Sequence, residues 1–391
     1  YETVKLNYGI DYGDGSRHFD PVPDTWFKML HILRYWAAKG IDGFRCDMAH
    51  MVPIEFWHWA IPQVKQHYPE IVFIAEIYDV QLYRQFIEYG GFDYLYDKVN
   101  LYDSLRAVET RNHSAAVLTS CWQTVDGIAP NMLNFLENHD EQRFASPFYA
   151  GDAARVVPSL VVSTMISTGP MMIYFGQELG EPGADAEGFS GHDGRTTIFD
   201  YWSVASVRRW LNRGTCDGVL SAPEQSLRDT YRRILRLANE EAAIREGSFF
   251  DLMYVNYDNP CLNPHRHYVF LRHHGSDLLL IVANFSDTDD QIKVNVPRHA
   301  FTCLDMPEGI DSEAVELLTG AVAAKTLSSA EPFETTVPAH GAVIWKLSRN
   351  RIEPLRPQPE GRRAKAAPKA APKAAPKKAK TAKKKNQSKN I

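Results

Sequence analysis

Two ionisable residues in a short strand-like segment give the first chemical signal in the sequence. The segment Gly40–His50 opens on a glycine turn and places Arg45 two positions before Asp47. The period of a strand puts both side chains on one face. A carboxylate beside a permanent cation has a depressed pKa and stays ionised near neutrality, as a nucleophilic carboxylate must. A structural ion pair at a strand end fits the same spacing.

Two further acids follow apolar segments downstream. Glu76 comes directly after Ile71–Ala75, and Asp140 comes soon after Met132–Leu136. Such runs are typical of parallel strands buried on both faces. The apolar neighbours of Glu76 predict a raised pKa and a protonated acid, whereas Asp47 would be ionised. A retaining glycosidase needs such a pair, with the carboxyl groups roughly 5–5.5 Å apart. Asp140 would then stabilise an oxocarbenium-like transition state.

Predicted strands and helices alternate through the first 250 residues. The first helix has a predicted buried stripe of Phe27, Leu30, Leu33 and Ala37. Alternation predicts a parallel sheet with helices on its faces, and in a (β/α) barrel the three acids would converge at one mouth. An open doubly wound sheet commonly carries a Gly-rich phosphate loop, and neither GxGxxG nor GxxxxGK[ST] occurs, so the barrel is favoured. The predicted strands are 3–6, 41–46, 71–77, 92–96, 132–136 and 171–175, and the predicted helices are 24–39, 55–68, 81–89, 101–117, 152–167 and 229–245.

The pattern of predicted secondary structure changes after this region. Short strands separated by Asp, Pro and Gly turns, with no helical pattern between them, predict an antiparallel β-sandwich. The predicted domains are 1–247, a partial barrel, 248–349, the sandwich, and 350–391, a disordered Ala/Pro/Lys-rich tail. A Gly/Asp-rich loop over 180–200 is expected to shape the cleft, although a mobile surface loop fits as well. Its side chains of interest are Phe189, His192, Arg195, Tyr201 and Trp202.

Four segments, in order, resemble the conserved regions of the α-amylase family, glycoside hydrolase family 13. Gly43–His50 is similar to the strand-four motif, Phe73–Glu76 to the strand-five motif and Phe135–Asp140 to the strand-seven motif. Met172–Glu178 is similar to the strand-eight segment. The resemblance covers roughly residues 1–347 and implies a (β/α)8 TIM-type barrel followed by a β-sandwich.

The resemblance also implies roles for individual residues. Asp47 would be the nucleophile, Glu76 the acid/base and Asp140 the transition-state stabiliser. The predicted substrate-binding residues are Arg45, His139, His50 and Tyr78.

One family feature is absent from this sequence. The first conserved region, an Asp…Asn-His segment ending strand three, has no counterpart, because Asn112-His113 lies after the second motif. The barrel is therefore expected to be N-terminally incomplete, with activity of this chain alone in doubt. No cofactor is expected for the chemistry. A structural calcium is left without assigned ligands, since the missing region would carry one in many relatives.

Charge and cysteine content restrict the partners and the compartment. Twelve of the 43 Lys and Arg residues follow Gly361 without any acid, leaving 31 basic against 48 acidic residues in the body. Contact of the tail with nucleic acid or an anionic surface is a minor hypothesis, because the body is acidic and a solvated tether is the favoured interpretation of the tail. Five scattered Cys without CxxC spacing favour reduced thiols. We predict a cytoplasmic protein without a membrane span; secretion stays open because the chain begins at Tyr1.

Three functions remain open at this stage. The leading hypothesis is a retaining α-amylase-type hydrolase of α-1,4-glucans and maltooligosaccharides. The alternative within the same chemistry is a 4-α-glucanotransferase or related transglycosylase, which differs only in whether water or a hydroxyl accepts the glycosyl group. The alternative from another class is a catalytically incompetent, truncated glucan-binding relative.

Overall fold

A parallel sheet carries the three acids. The structure is a computed structural model that describes residues 5–184, 192–196, 198, 204–212 and 219–348. Its parallel strands lie in chain order, each hydrogen-bonded to the next. Because all five run the same way, their carboxyl ends share one edge. The strands are β1 (Gly43–Cys46), β2 (Val72–Ala75), β3 (Tyr94–Tyr96), β4 (Met132–Phe135) and β5 (Met171–Met172).

Helices connect these strands, as the alternating pattern predicts. Asp24 is the first residue of helix α1, directly after Pro23. The predicted stripe of this helix is partly wrong, since Trp26 is buried with Leu30, whereas Phe27 is 53% exposed. The helices of this part are α1 (Asp24–Ala37), α2 (Ile54–Lys65), α3 (Tyr83–Glu88), α4 (Asp103–Glu109), α5 (Val117–Thr124), α6 (Val157–Met165), α7 (Ala205–Asn212), α8 (Ala222–Glu240) and α9 (Ala242–Arg245).

Antiparallel sheets follow, as predicted. One has the strand order β11-β10-β13-β8-β7-β6 and the other pairs β12 with β9. Trp345 joins the two, because its indole N–H donates to Thr335 Oγ1 at 2.9 Å. One helix, α10 (Arg298–Cys303), interrupts a region predicted to contain none. The strands are β6 (Ser248–Asp251), β7 (His267–His274), β8 (Asp277–Asn284), β9 (Asp290–Val294), β10 (Ile310–Glu316), β11 (Val322–Leu327), β12 (Phe333–Val337) and β13 (Gly341–Ser348).

Buried side chains form two clusters that do not follow the predicted domain boundary. One packs α1, α2 and α3 against β1 to β3, around Trp26, Phe56 and Phe73. The other runs without a break from Phe135 into the antiparallel sheet, where it includes Phe270. The change at 247/248 is thus a change of sheet type within a continuous core. The two-domain division stays a prediction.

Several predictions fall on residues that the structure does not describe. Half of the first predicted strand (Thr3 and Val4), the loop residues Phe189, Tyr201 and Trp202, and the tail 350–391 lie outside the described residues. Lys5 and Leu6 belong to no strand. Within the described ranges, none of the helices has both the length and the apolar character required to cross a membrane.

A buried acid of α4 predicts a pH-dependent stability. Glu109 is 2% exposed, and burial raises its pKa from 4.5 to about 7 although Arg155 lies 2.8 Å away. The folded state then holds a proton that the unfolded chain has lost, so stability falls as the pH rises from 4.5 to 7. We expect a loss of roughly 3 kcal/mol over this range. Urea unfolding across this pH range, compared between the wild type and Glu109→Gln, measures it; equal slopes against pH would contradict the assignment.

Candidate active site

The three predicted catalytic acids follow strands of the parallel sheet at its carboxyl edge. Asp47 follows β1, Glu76 follows β2, and Asp140 lies in the loop after β4. Two backbone hydrogen bonds tie the first two strand ends together: Glu76 N donates to Cys46 O at 3.1 Å, and Ala49 N donates to Glu76 O at 3.0 Å. The sheet therefore delivers these acids to one place from distant parts of the chain.

One guanidinium joins two of the acids. Arg45 Nη1 donates to Asp47 Oδ1 at 2.6 Å. Its Nη2 forms an ion pair with Glu76 Oε1 at 2.8 Å, outside hydrogen-bond geometry. Burial lowers the pKa of Arg45, but the hydrogen bond to Asp47 and the charge of Glu76 outweigh it and raise the pKa above its usual value. Arg45 is thus a permanent cation between both carboxylates.

The two carboxylates differ in their access to solvent. The Asp47 side chain is 78% exposed, whereas that of Glu76 is 2% exposed. Among the described residues, Arg45 is the one ion-pair or hydrogen-bond partner of Asp47. One carboxylate is open to a ligand, and the other is enclosed by protein.

The surroundings of Glu76 are more polar than the sequence predicts. Its strand is apolar, but its oxygens face donors: Met48 N donates to Oε2 at 2.8 Å and Tyr78 OH donates to Oε1 at 3.0 Å. Met48 has a left-handed backbone with φ of 42° at this position. Burial is as expected, whereas an apolar setting for the carboxylate is wrong, because Arg45 and these two donors surround it.

Asp140 is held as an anion. His139 Nε2 lies 3.0 Å from Asp140 Oδ2. The hydrogen bond from His139 is the main cause that lowers the pKa of Asp140; the charges of Arg45 and Arg195 act in the same direction, and burial opposes them. Asn138 Oδ1 accepts from the backbone N–H of Asp140 at 2.9 Å, which shapes the loop. The charge of Arg45 thus also lowers the pKa of Asp140, in addition to pairing with Asp47 and Glu76.

The two remaining predicted substrate-binding residues also lie here. Tyr78 contacts Glu76, and its ring centroid is 6.2 Å from that of His50. Burial, and next the charge of Glu76, raise the pKa of Tyr78, which keeps the phenol as a proton donor. His50 Nδ1 is buried without a hydrogen-bond partner among the described residues. All seven predicted site residues thus lie at or beside the ends of β1, β2 and β4.

Sequence reasoning missed the contribution of β3. The Tyr96 ring lies 5.3 Å from Arg45 Cζ and so supports the guanidinium by a cation–π contact. Lys98, two residues further, lies 3.2 Å from Glu141 Oε1 and 5.9 Å from the ring centre of Tyr78. The rule that places function at strand ends applies equally to β3, and it would have found Tyr96 and Lys98.

A loop segment contacts the site at Asp140. Arg195 Nε donates to the backbone oxygen of Asp140 at 2.6 Å. His192 Nδ1 lies 3.1 Å from Ala184 O and does not take part in the described contacts of the acids. Of the described residues in the predicted cleft loop, Arg195 contacts these acids, through the backbone oxygen of Asp140.

A fully buried arginine, also missed, anchors this loop. Arg143 Nη1 donates to Glu137 Oε2 at 2.8 Å, and its Nε donates to Thr196 Oγ1 at 2.8 Å. Its guanidinium carbon lies 4.1 Å from the ring centre of Tyr174. This set, which we call the Arg143 clamp (Arg143, Glu137 and Thr196, which are buried, and Tyr174, which is half-buried), fixes the segment that presents Arg195 to Asp140.

No metal centre is assigned. Within the described ranges, no group of three or more His, Cys, Asp or Glu side chains is arranged to hold a metal ion. A structural calcium stays a prediction without ligands.

Comparison with known proteins identifies the family. A family model described as "Alpha amylase, catalytic domain" matches residues 22–243, more than half of the chain. The chain belongs to the α-amylase family, glycoside hydrolase family 13.

Curated relatives include transferases. The chain is 38% identical over 55 residues to an alpha-1,4-glucan:maltose-1-phosphate maltosyltransferase of Rhodospirillum rubrum, covering 14% of this chain and 8% of that protein. It is 25% identical over 297 residues to alpha-1,4-glucan:maltose-1-phosphate maltosyltransferase 2 of Streptomyces coelicolor. This match covers 75% of this chain and 39% of that protein. Neopullulanase 2 of Thermoactinomyces vulgaris is 25% identical over 165 residues, 41% of this chain and 28% of that protein. The chain thus spans well under half the length of these relatives.

Solved structures share the fold. An Anoxybacillus α-amylase superposes with a TM-score of 0.61 at 18% identity, covering 87% of this chain and 66% of that one. The maltogenic α-amylase AmyB of Thermotoga neapolitana gives a TM-score of 0.61 at 17% identity, covering 88% and 72%. At these identities the likeness concerns the fold alone.

Proposed function

We propose that this chain is a retaining enzyme of α-1,4-glucans, with hydrolysis of the α-amylase type as its leading reaction. The observation that carries the proposal is the Arg45 bridge between Asp47 and Glu76, one open to ligand and the other buried. Family membership supports α-glucan as the substrate class. We also propose that β1 to β5 belong to a barrel of the (β/α)8 type, supported by the likeness to solved amylases.

The geometry supports a double displacement. Glu76 gives its proton to the glycosidic oxygen as the C1–O bond breaks, and an Asp47 oxygen forms an ester with C1. Arg45 then stabilises the charge that Glu76 acquires. In the second step Glu76 takes a proton from the attacking water, which displaces Asp47 from C1. Anionic Asp140 faces the positive charge that develops on the ring in both steps.

Transfer is the second candidate, and a specific observation favours it. The relatives described above include maltosyltransferases named for the pair α-1,4-glucan and maltose 1-phosphate, which is consistent with maltose 1-phosphate as donor and the glucan as acceptor. Transfer needs no different acids, because a sugar hydroxyl replaces water in the second displacement.

Product analysis separates the candidates. The full chain is incubated with maltoheptaose, and separately with maltose 1-phosphate plus glycogen, and the products are resolved by chromatography with reducing-end and phosphate assays. We expect shorter glucans with one new reducing end per cleavage. Longer glucans without a net gain of reducing ends would contradict hydrolysis and show transfer between glucans. Release of phosphate together with growth of glycogen would show that maltose 1-phosphate is the donor.

The same experiment tests the non-catalytic alternative. Binding of maltoheptaose to the wild type is measured by calorimetry alongside the product assays. The double variant Asp47→Asn/Glu76→Gln serves as the control without turnover in the product assays. Binding without any product in either reaction would leave a glucan-binding protein and overturn the catalytic proposal.

A further inference from the structure

A small cavity lies on the side of the parallel sheet that α5 covers. The space open to the centre of a water-sized sphere is about 20 Å³. A cavity needs about 10–15 Å³ of such space to hold one water molecule, and we expect the same for an ion of similar size. Its walls come from the ends of β3 and β4, from α5 and from the turn after α6. The lining polar residues are Asp97, Asn100, Asn134, Cys121 and Ser167.

Asp97 brings a buried carboxylate to this cavity. It is 2% exposed and accepts hydrogen bonds from Asn100 Nδ2 at 3.1 Å and from Leu101 N at 3.2 Å. Within the described part of the chain it forms no ion pair. Tyr83, Asp103 and Cys121 interact with it electrostatically from α3, α4 and α5, and none of these three is a cation. A buried carboxylate without a positive partner is costly, because burial removes its hydration.

Asn134 brings a second oxygen of fixed orientation. Its Nδ2 donates to Ser163 O at 2.8 Å. Exchanging the amide nitrogen and oxygen would place two acceptor oxygens against each other, so this hydrogen bond fixes the position of Oδ1. Its Oδ1 is buried without a hydrogen-bond partner among the described groups, and the residue is 2% exposed. A buried carbonyl oxygen of this kind calls for a donor or a cation.

The sheet register places these two side chains next to each other. Tyr96 pairs with Leu133 across β3 and β4, and Asp97 N donates to Leu133 O at 3.1 Å. The following residues, Asp97 and Asn134, are therefore neighbours at the carboxyl ends of adjacent strands. Alternation along a strand directs Asp97 away from the face that carries Tyr96 and Arg45.

We propose that Asp97 and Asn134 form a binding site for a monovalent cation, with sodium as the ion that the cavity fits. One carboxylate and one amide oxygen match a single positive charge, and Ser167 lines the same cavity. Calcium takes six to eight oxygen ligands, usually with several carboxylates, and magnesium demands a complete octahedron. The site is separate from the glucan chemistry and does not depend on the proposed function.

The site has a structural consequence for the active-site edge. Asp97 caps the π-helical turn Lys98–Tyr102, and this turn carries Lys98 to Glu141 beside Asp140. A π-turn is uncommon and needs support from its surroundings. A cation at Asp97 would fix the carboxylate in the orientation that caps the turn.

Thermal unfolding of the full chain at pH 7.5 tests the proposal. Chloride salts of sodium, potassium and choline are compared at equal ionic strength, which removes general screening. We expect sodium to raise the Tm above its value in choline by roughly 2–4 °C, in a saturable manner, because a ligand that binds only the folded state stabilises it. Equal Tm values in all three salts would overturn the proposal and leave a water molecule in the cavity.

Matched variants assign the effect to the site. Asp97→Asn keeps the shape and removes the charge, and we expect it to abolish the difference between sodium and choline. Asp126→Asn removes an acid from an exposed position, and we expect it to keep that difference. Line broadening of ²³Na resonances gives a second readout, with Asn134→Leu in place of Asp97→Asn if the latter does not fold. Broadening that persists in the site variants would also overturn the assignment.

Discussion

Glu76→Gln is expected to lower kcat on maltooligosaccharides by roughly 10²–10⁴-fold, because an amide cannot protonate the leaving oxygen. The substitution keeps the size of a side chain that is 2% exposed. Met48 N and Tyr78 OH donate to different carboxylate oxygens, so the one amide oxygen keeps one of these two hydrogen bonds. Steady-state kinetics with maltoheptaose measure kcat and KM separately. A loss confined to kcat would assign Glu76 to the chemical step rather than to substrate binding.

The leaving group supplies the decisive control for this prediction. Fluoride leaves without protonation, so Glu76→Gln should still form the glycosyl ester from α-maltosyl fluoride at a rate near that of the wild type. Glu88→Gln, a change on the surface of α3 at a residue paired with Arg84, should leave both reactions unchanged. If Glu76→Gln turns over maltoheptaose as fast as the wild type, Glu76 is not the acid.

The positions of the three acids could be predicted from the sequence, because one rule about the ends of parallel strands was sufficient for them. Parallel strands end at a common edge, so Asp47, Glu76 and Asp140 could be placed together without knowledge of any contact. The ion pair between Arg45 and Glu76 could not, because it depends on the rotamer of a long side chain between two strands. Local patterns indicate which edge a residue occupies, but not which neighbour it contacts.

The errors in the fold have the same physical origin. Helix α1 has apolar residues on most of its circumference, so its period alone does not distinguish Trp26 from Phe27 as the buried residue. Both rings contact α2, because Trp26 meets Phe56 with ring centroids 5.7 Å apart and Phe27 meets Trp59 at 5.3 Å. The preceding segment decides, because Phe19 also packs against Trp26 at 5.1 Å and Tyr8 O accepts the indole N–H of Trp26. The Arg143 clamp was missed because its partners come from three separate segments and no spacing in the sequence connects them.

Arg143→Met is expected to destabilise the protein by about 3–5 kcal/mol, the usual result of removing one partner from a buried ion pair. Arg143 is fully buried, and its loss leaves Glu137, which is 2% exposed, without a cation. Burial already raises the pKa of Glu137 against the opposing charge of Arg143. Without that charge the pKa rises further, so the destabilisation should grow as the pH increases from 5 to 8. Urea unfolding at several pH values measures it.

A double variant separates the lost pair from the lost volume. Glu137→Gln/Arg143→Met removes both charges, and it should be more stable than Arg143→Met alone if the uncompensated carboxylate causes the loss. Equal stabilities would contradict that cause and assign the effect to packing against Tyr174. The clamp also fixes the segment that carries Arg195 to Asp140, so the double variant should still show a raised KM for maltoheptaose. If the double variant recovers stability but keeps the raised KM, the clamp has two separate roles: it stabilises the fold and it positions the loop that carries Arg195.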